Sequence, residues 1–132
     1  MPIDQPQGRR SDNKKKGDLG EAIAADFLQR LGYAIIETKY QYRDIGEIDI
    51  IAEDGDVLVF CEVKARSSDR YGEPEYALTK KKQSQVRYLA KCYLFEHDID
   101  EQEVRFDVVA ITHDGHCPKI DYFKNAFDII GG

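Results

Sequence analysis

Apolar positions change their spacing several times along this chain, and each change marks an element. From Asp18 to Leu31, the residues Ile23, Ala24, Phe27, Leu28 and Leu31 recur at the three-or-four-residue repeat of one helix face, and Gly32 follows as a C-terminal cap. Tyr33 to Tyr40 reads as a first strand. The runs Gly46-Glu47-Ile48-Asp49-Ile50-Ile51 and Val57-Leu58-Val59-Phe60-Cys61-Glu62-Val63-Lys64 flank a short acidic turn at Glu53 to Asp56, which predicts a pair of strands. Helical spacing returns from Leu78 to about His97, with Val86, Leu89, Ala90, Tyr93 and Leu94 inward and Lys80, Ser84, Arg87 and Lys91 outward. Val104 to Thr112 alternates Phe106, Val108 and Ala110 against Arg105, Asp107 and Val109, which predicts a buried strand with Asp107 as a structural acid. Lys119 to Phe123 adds an edge strand. The sum is an α/β fold, a central mixed β-sheet flanked by helices in the order α-β-β-β-α-β.

Two stretches lack this periodicity. Residues 1–16 are polar, carry Pro2, Pro6 and Gly8, and end in Asn13-Lys14-Lys15-Lys16, so they read as a disordered basic tail before a single domain at 17–132. Arg66 to Ala77 holds Ser67, Ser68, Gly72 and Pro74 and reads as a long loop, of the kind that carries substrate contacts when a rigid sheet presents it.

The hairpin carries charges where a buried strand should be apolar. Side chains alternate faces along a strand, so Glu47 and Asp49 share one face of the first segment, and Glu62 and Lys64 share one face of the second. A carboxylate among apolar neighbours costs several kcal/mol unless it is paired, hydrogen-bonded, neutralised or bound to a metal. Paired across the turn, Asp49 and Glu62 converge into a hard oxygen site suited to Mg²⁺ or Mn²⁺, which keeps waters and substrate phosphate oxygens among its ligands. Phosphodiester cleavage needs such an ion, an activated water and a cation near the developing charge, and Lys64 supplies the cation. A salt bridge between Lys64 and either acid is the plainer alternative.

At these residues the chain resembles the PD-(D/E)XK nuclease superfamily, with Asp49 as the motif aspartate and Glu62-Val63-Lys64 as the motif tripeptide. More narrowly it resembles the YraN-like family of uncharacterised bacterial proteins, which are similar to archaeal Holliday junction resolvases. The matching stretches are Gly17 to Ala22, Phe27-Leu28, Gly32-Tyr33, Gly46 to Ile51, Phe60 to Lys64 with Arg66, Arg105 to Val109 and Phe123 to Phe127. The resemblance implies a restriction-endonuclease-like core, with Glu21 as the acid that resolvase-like members place on the first helix beside the metal. Asp49 and Glu62 would then be metal ligands and Lys64 the catalytic lysine. It implies a divalent-metal-dependent nuclease acting on DNA, including branched or structured DNA. A binding or assembly module without catalysis and an RNA-processing nuclease stay open beside it.

Composition narrows the partners. A net charge of −6 and a pI near 5.1 argue against a protein that coats nucleic acid non-specifically. Basic residues nevertheless gather between Lys64 and Lys91, where Arg66, Lys80, Arg87 and Lys91 are the candidate phosphate contacts. The resemblance implies DNA ahead of RNA as partner, with a homodimer also open. Cys61, Cys92 and Cys117 lack zinc spacing and read as reduced thiols, and His97, His113 and His116 read as surface residues. No apolar run is long enough to span a membrane, so the expectation is a cytoplasmic protein.

Overall fold

The computed structural model describes residues 5–66, 78–113, 115 and 117–128, with residues 5–16 as backbone only. Helix α1 (Gln5–Arg30) is followed by strands β1 (Ala34–Gln41), β2 (Glu47–Asp54) and β3 (Val57–Arg66), helix α2 (Lys80–Glu96), and strands β4 (Val104–Thr112) and β5 (Lys119–Phe127). The five strands form one mixed sheet in the order β1-β2-β3-β4-β5, antiparallel except for the parallel pair β3 and β4. The order is the expected core order, and the edge strand expected from Lys119 follows it as β5.

Most element bounds agree with the hydrophobic pattern, and the departures have physical reasons. Helix α1 begins at Gln5, well before Asp18 and inside the segment read as a tail. Pro6 lies in its first turn, where a missing N–H costs no intrahelical bond, and the Gln, Arg and Lys residues that follow are good helix formers. The polarity that denies this stretch a core does not deny it a helix. At the other end Gly32 has φ +97°, its N–H reaches Gln29 O at 2.9 Å, and Tyr33 N–H reaches Leu28 O at 3.1 Å. That turn leaves Leu31 half exposed instead of inward.

The sheet is covered on both faces. Val86, Leu89, Ala90 and Tyr93 of α2 pack with Tyr40, Ile48, Ile51, Phe60 and Phe106 on one side. Ala24 and Leu28 of α1 pack with Ile50, Val59, Cys61, Val109 and Ile111 on the other. Burial of side chains of this size contributes about 1.5–3 kcal/mol each, so these two layers supply the main stabilisation. The N-terminus of α2 is set by Thr79, whose hydroxyl accepts the Lys82 N–H at 3.1 Å.

Arg87 requires a correction. It was expected on the outer face of α2, but it is 8% exposed. Its Nη1 donates to Asp128 O at 3.3 Å, its Nη2 lies 3.5 Å from Ser84 Oγ, and its guanidinium sits over the Phe127 ring. The cause is the length of β5, which continues to Phe127 past the expected end at Phe123 and brings the chain against that side of the helix.

Asp107 is fully buried, as its place in the strand pattern predicts. Arg105 donates to both of its oxygens, from Nε at 2.9 Å and Nη2 at 2.9 Å, and also reaches Asp54 at 2.8 Å. Tyr122 donates its hydroxyl to Asp107, and the Asn125 N–H reaches Asp107 Oδ1 at 2.8 Å. Asn125 has φ +55° at the place where the β4/β5 register shifts, so a β-bulge supplies that last donor. At the opposite edge the β1/β2 register shifts between Ile35 and Glu37, and Lys39 has φ +55°. The network around Asp107 compensates a buried charge, so Arg105→Met should cost about 3–5 kcal/mol in urea unfolding. Adding Asp107→Asn should recover a large part of that loss. Strictly additive losses in the double variant would show that the two side chains are not a coupled pair.

Candidate functional site

Strands β2 and β3 pair from Asp54 opposite Val57 up to Ile50 opposite Cys61, and there the ladder stops. The next opposed residues are Asp49 and Glu62. Asp49 Oδ2 accepts the Val63 N–H at 2.8 Å, so a side-chain carboxylate takes up a strand amide and the two strands open into a fork. Each arm is held by its outer neighbour: β2 pairs with β1 as far as Glu47 opposite Gln41, and β3 pairs with β4 as far as Arg66 opposite Thr112. The opening is therefore local, with a rigid sheet behind it.

Three carboxylates gather at the fork. One oxygen each from Glu21, Glu47 and Asp49 lie within 4.8 Å of one another. Glu21 reaches them because Gly20 lets α1 close onto β3: a Cβ at Gly20 would stand 3.1 Å from Ala65 Cβ. A fourth acid, Glu62, is 5% exposed, and its Oε1 is buried without a hydrogen-bond partner, as is Glu21 Oε1. Burial first, and then the Asp49 charge, push the Glu62 carboxyl up to about 9. The same two causes in the same order push Glu21 up to about 7.

Glu47, Asp49, Glu62, Val63 and Lys64 from the strands, with Leu78, Thr79 and Lys82 from the start of α2, line one open cavity of about 550 Å³. Lys82 Nζ lies 3.9 Å from Glu62 Oε2 and 3.2 Å from Gln85 Oε1. The donor set fits a hard divalent cation. Its clustered oxygens are all carboxylate, two buried acid oxygens have no partner, and the cavity leaves room for waters and a phosphate.

The predicted residues divide accordingly. Asp49, Glu62 and Lys64 line the cavity, and Glu21 joins Asp49 and Glu47 in the carboxylate cluster. Glu47 is the acid that the alternation places on the face of Asp49, and that shared face is its only signal in the sequence. Lys82 left no local signal, being one of three consecutive lysines whose orientation depends on how α2 docks. Arg66 ends β3, Lys80 opens α2 on an exposed position, and Lys91 is exposed further along the helix. Arg87 is removed from this set by its burial. Most of the expected loop, at 67–77, and His116 lie outside the described residues.

Residues 20–111 match Uncharacterised protein family UPF0102. The chain is 43% identical over 124 residues to a UPF0102 protein of Syntrophus aciditrophicus, covering 94% of this chain and 97% of the relative. It is 42% identical to one from Acetivibrio thermocellus (91% and 96% covered) and 41% identical to one from Natranaerobius thermophilus (87% and 98% covered). The protein belongs to the UPF0102 family, the YraN-like family that the residues of the fork and the first helix resemble.

The crowded acids give the fold a pH dependence whose sign is fixed. Because Glu62 and Glu21 hold their protons more tightly folded than unfolded, the native state binds more protons between the ordinary carboxylate range near 4.5 and about 9. Stability without divalent ions should therefore fall as pH rises through that window. Glu62→Gln should flatten the fall and raise stability at pH ~8 by roughly 1–3 kcal/mol. Denaturant titrations in chelator from pH ~5 to ~9 test this, and equal slopes for both proteins would contradict it.

Proposed function

We propose that this protein is a divalent-metal-dependent nuclease of the PD-(D/E)XK type, hydrolysing phosphodiester bonds in DNA. The observation that carries the reading is the fork, where Asp49 and Glu62 meet beside Glu21 and Glu47 and buried Glu62 Oε1 has no partner. A purely structural acid is treated differently in the same molecule: Asp107 has donors on both oxygens from Arg105, Tyr122 and Asn125. Three acids lining an open cavity, Glu47, Asp49 and Glu62, with two lysines on its wall have the charge pattern of a site that takes a cation and an anion together.

Asp49 and Glu21, whose oxygens cluster with one of Glu47, would hold the ion, and Glu62 on the wall of the cavity would join them. When bound, Mg²⁺ or Mn²⁺ would polarise the phosphate and lower the pKa of a nearby water. Asp49 is oriented by the Val63 amide, which fixes the direction of its carboxylate. Lys64 lines the cavity beyond Glu62 and would orient the attacking water or stabilise the negative charge that builds at phosphorus. The exposed Lys80 and Lys91 of α2 would track the phosphate backbone outside the cavity. Branched or otherwise structured DNA is the favoured substrate from the likeness to resolvases, and the acidic net charge supports a selective partner over a general coat.

Two measurements test this reading. Millimolar Mg²⁺ or Mn²⁺ should raise the thermal midpoint of the wild type and leave Asp49→Asn unmoved, through binding to the native state. On a panel of junction, flap, duplex and RNA substrates, cleavage should require the ion. It should drop by about 10²-fold or more in Lys64→Ala, with Mn²⁺ affinity retained. A wild type inert toward every substrate, together with a Lys64→Ala variant destabilised by about 3–5 kcal/mol, would instead identify Lys64 as the partner of a buried acid.

A further inference from the structure

The nuclease reading leaves Lys82 and Gln85 without a role, and their geometry is specific. Lys82 stands on the first turn of α2, on the wall of the cavity, with its side chain 38% exposed. Its Nζ is 3.9 Å from Glu62 Oε2, which is attraction without a hydrogen bond. Its hydrogen bond goes to Gln85 Oε1 at 3.2 Å. The ammonium is therefore placed by the neutral amide of Gln85 and not by a bond to Glu62.

Gln85 is itself fixed from the other side. Its Nε2 donates to Ile45 O at 2.6 Å, which orients the amide and leaves the oxygen for Lys82. It lies against Gly46, where a Cβ would come within 2.7 Å of the amide nitrogen, and Gly46 has φ +145°. The glycine that leads into β2 thus gives Gln85 its place, and Gln85 gives Lys82 its place. Beside them the amino end of α2 opens on the same cavity, its Thr79 hydroxyl occupied by the Lys82 N–H. The positive end of the helix and the ammonium both face the carboxylates of the fork across the opening.

We propose that Lys82 binds a phosphate oxygen of the nucleic-acid strand lying in this cavity, and that Gln85 is the residue that positions it. The ion and its carboxylates occupy one wall, and the strand's phosphate is met from the α2 wall by Lys82 and the helix end. This inference rests on the nuclease reading, and it assigns Lys82 a substrate contact distinct from the role of Lys64.

The test measures two affinities on each protein: Mn²⁺ by calorimetry, and a short labelled duplex oligonucleotide by fluorescence anisotropy in Ca²⁺. Lys82→Met should weaken oligonucleotide binding by roughly 10- to 100-fold, as expected for one charged contact. Mn²⁺ binding should persist or tighten, because Glu62 loses a competing cation. Lys82→Arg should restore much of the oligonucleotide affinity. Gln85→Met should lower it partially and leave Mn²⁺ affinity unchanged, and chemical denaturation checks that each variant is folded. A Lys82→Met protein that is less stable but binds oligonucleotide as the wild type does would reduce Lys82 to a salt-bridge partner and overturn the proposal. So would a wild type that binds Mn²⁺ and no oligonucleotide. Asp49-dependent Mn²⁺ binding in either case leaves the metal-site reading standing, whereas a wild type without any Mn²⁺ binding removes both.

Discussion

The hydrogen bond from the Val63 amide to Asp49 Oδ2 is the contact on which the site is built. A strand amide in the middle of a sheet ordinarily goes to a carbonyl of its neighbour, and an amide left without a partner there would cost about 1–3 kcal/mol. Here the acid itself takes the amide, so the ladder ends without an orphan and the carboxylate is fixed by the sheet. One residue thereby opens the strands, orients an oxygen and brings Asp49 against Glu62. The cavity lined by Glu47, Asp49, Glu62 and Lys64 lies at that opening, and Glu21 reaches Asp49 and Glu47 there from α1.

The molecule handles its buried acids in two ways, and the contrast separates structure from chemistry. Asp107 is enclosed by donors from β4 and β5, with Arg105 spanning it and Asp54 of β2. Asp54 is held below the usual carboxylate range by the Arg105 hydrogen bond. Glu62 and Glu21 shift the opposite way, toward retaining protons, because burial is met there by other acids more than by bases. Carboxyls shifted in this way by burial and a like charge beside a cavity mark a candidate functional site.

Much of this was legible in the residues. Period-two alternation placed Asp49 and Glu62 on facing strands, and the apolar spacing of the helices gave the order of elements. Glu21 sat at the edge of a helical stripe, and its direction depended on Gly20 admitting close contact with β3. Helical periodicity assigns Arg87 to one outward face, and β5 covers part of that face. The helical start at Gln5 was hidden because composition reports the lack of a core more readily than the conformation of the backbone. Lys82 needed the docking of α2 against the β1/β2 connection, a contact between segments some 40 residues apart in the chain, with Gln85 and Ile45 separated by that number.

Both edges of the sheet are interrupted. Strand β1 shifts register between Ile35 and Glu37 and turns through a positive φ at Lys39, and β5 does so at Asn125 after the shift between Phe106 and Val108. A flat outer strand offers its unpaired amides and carbonyls as a template to any other extended chain. These two borders break that template at mid-length. Extension of the sheet from one molecule into the next is thus discouraged at each side, and a second chain would be received by helical and loop surfaces rather than by strand addition.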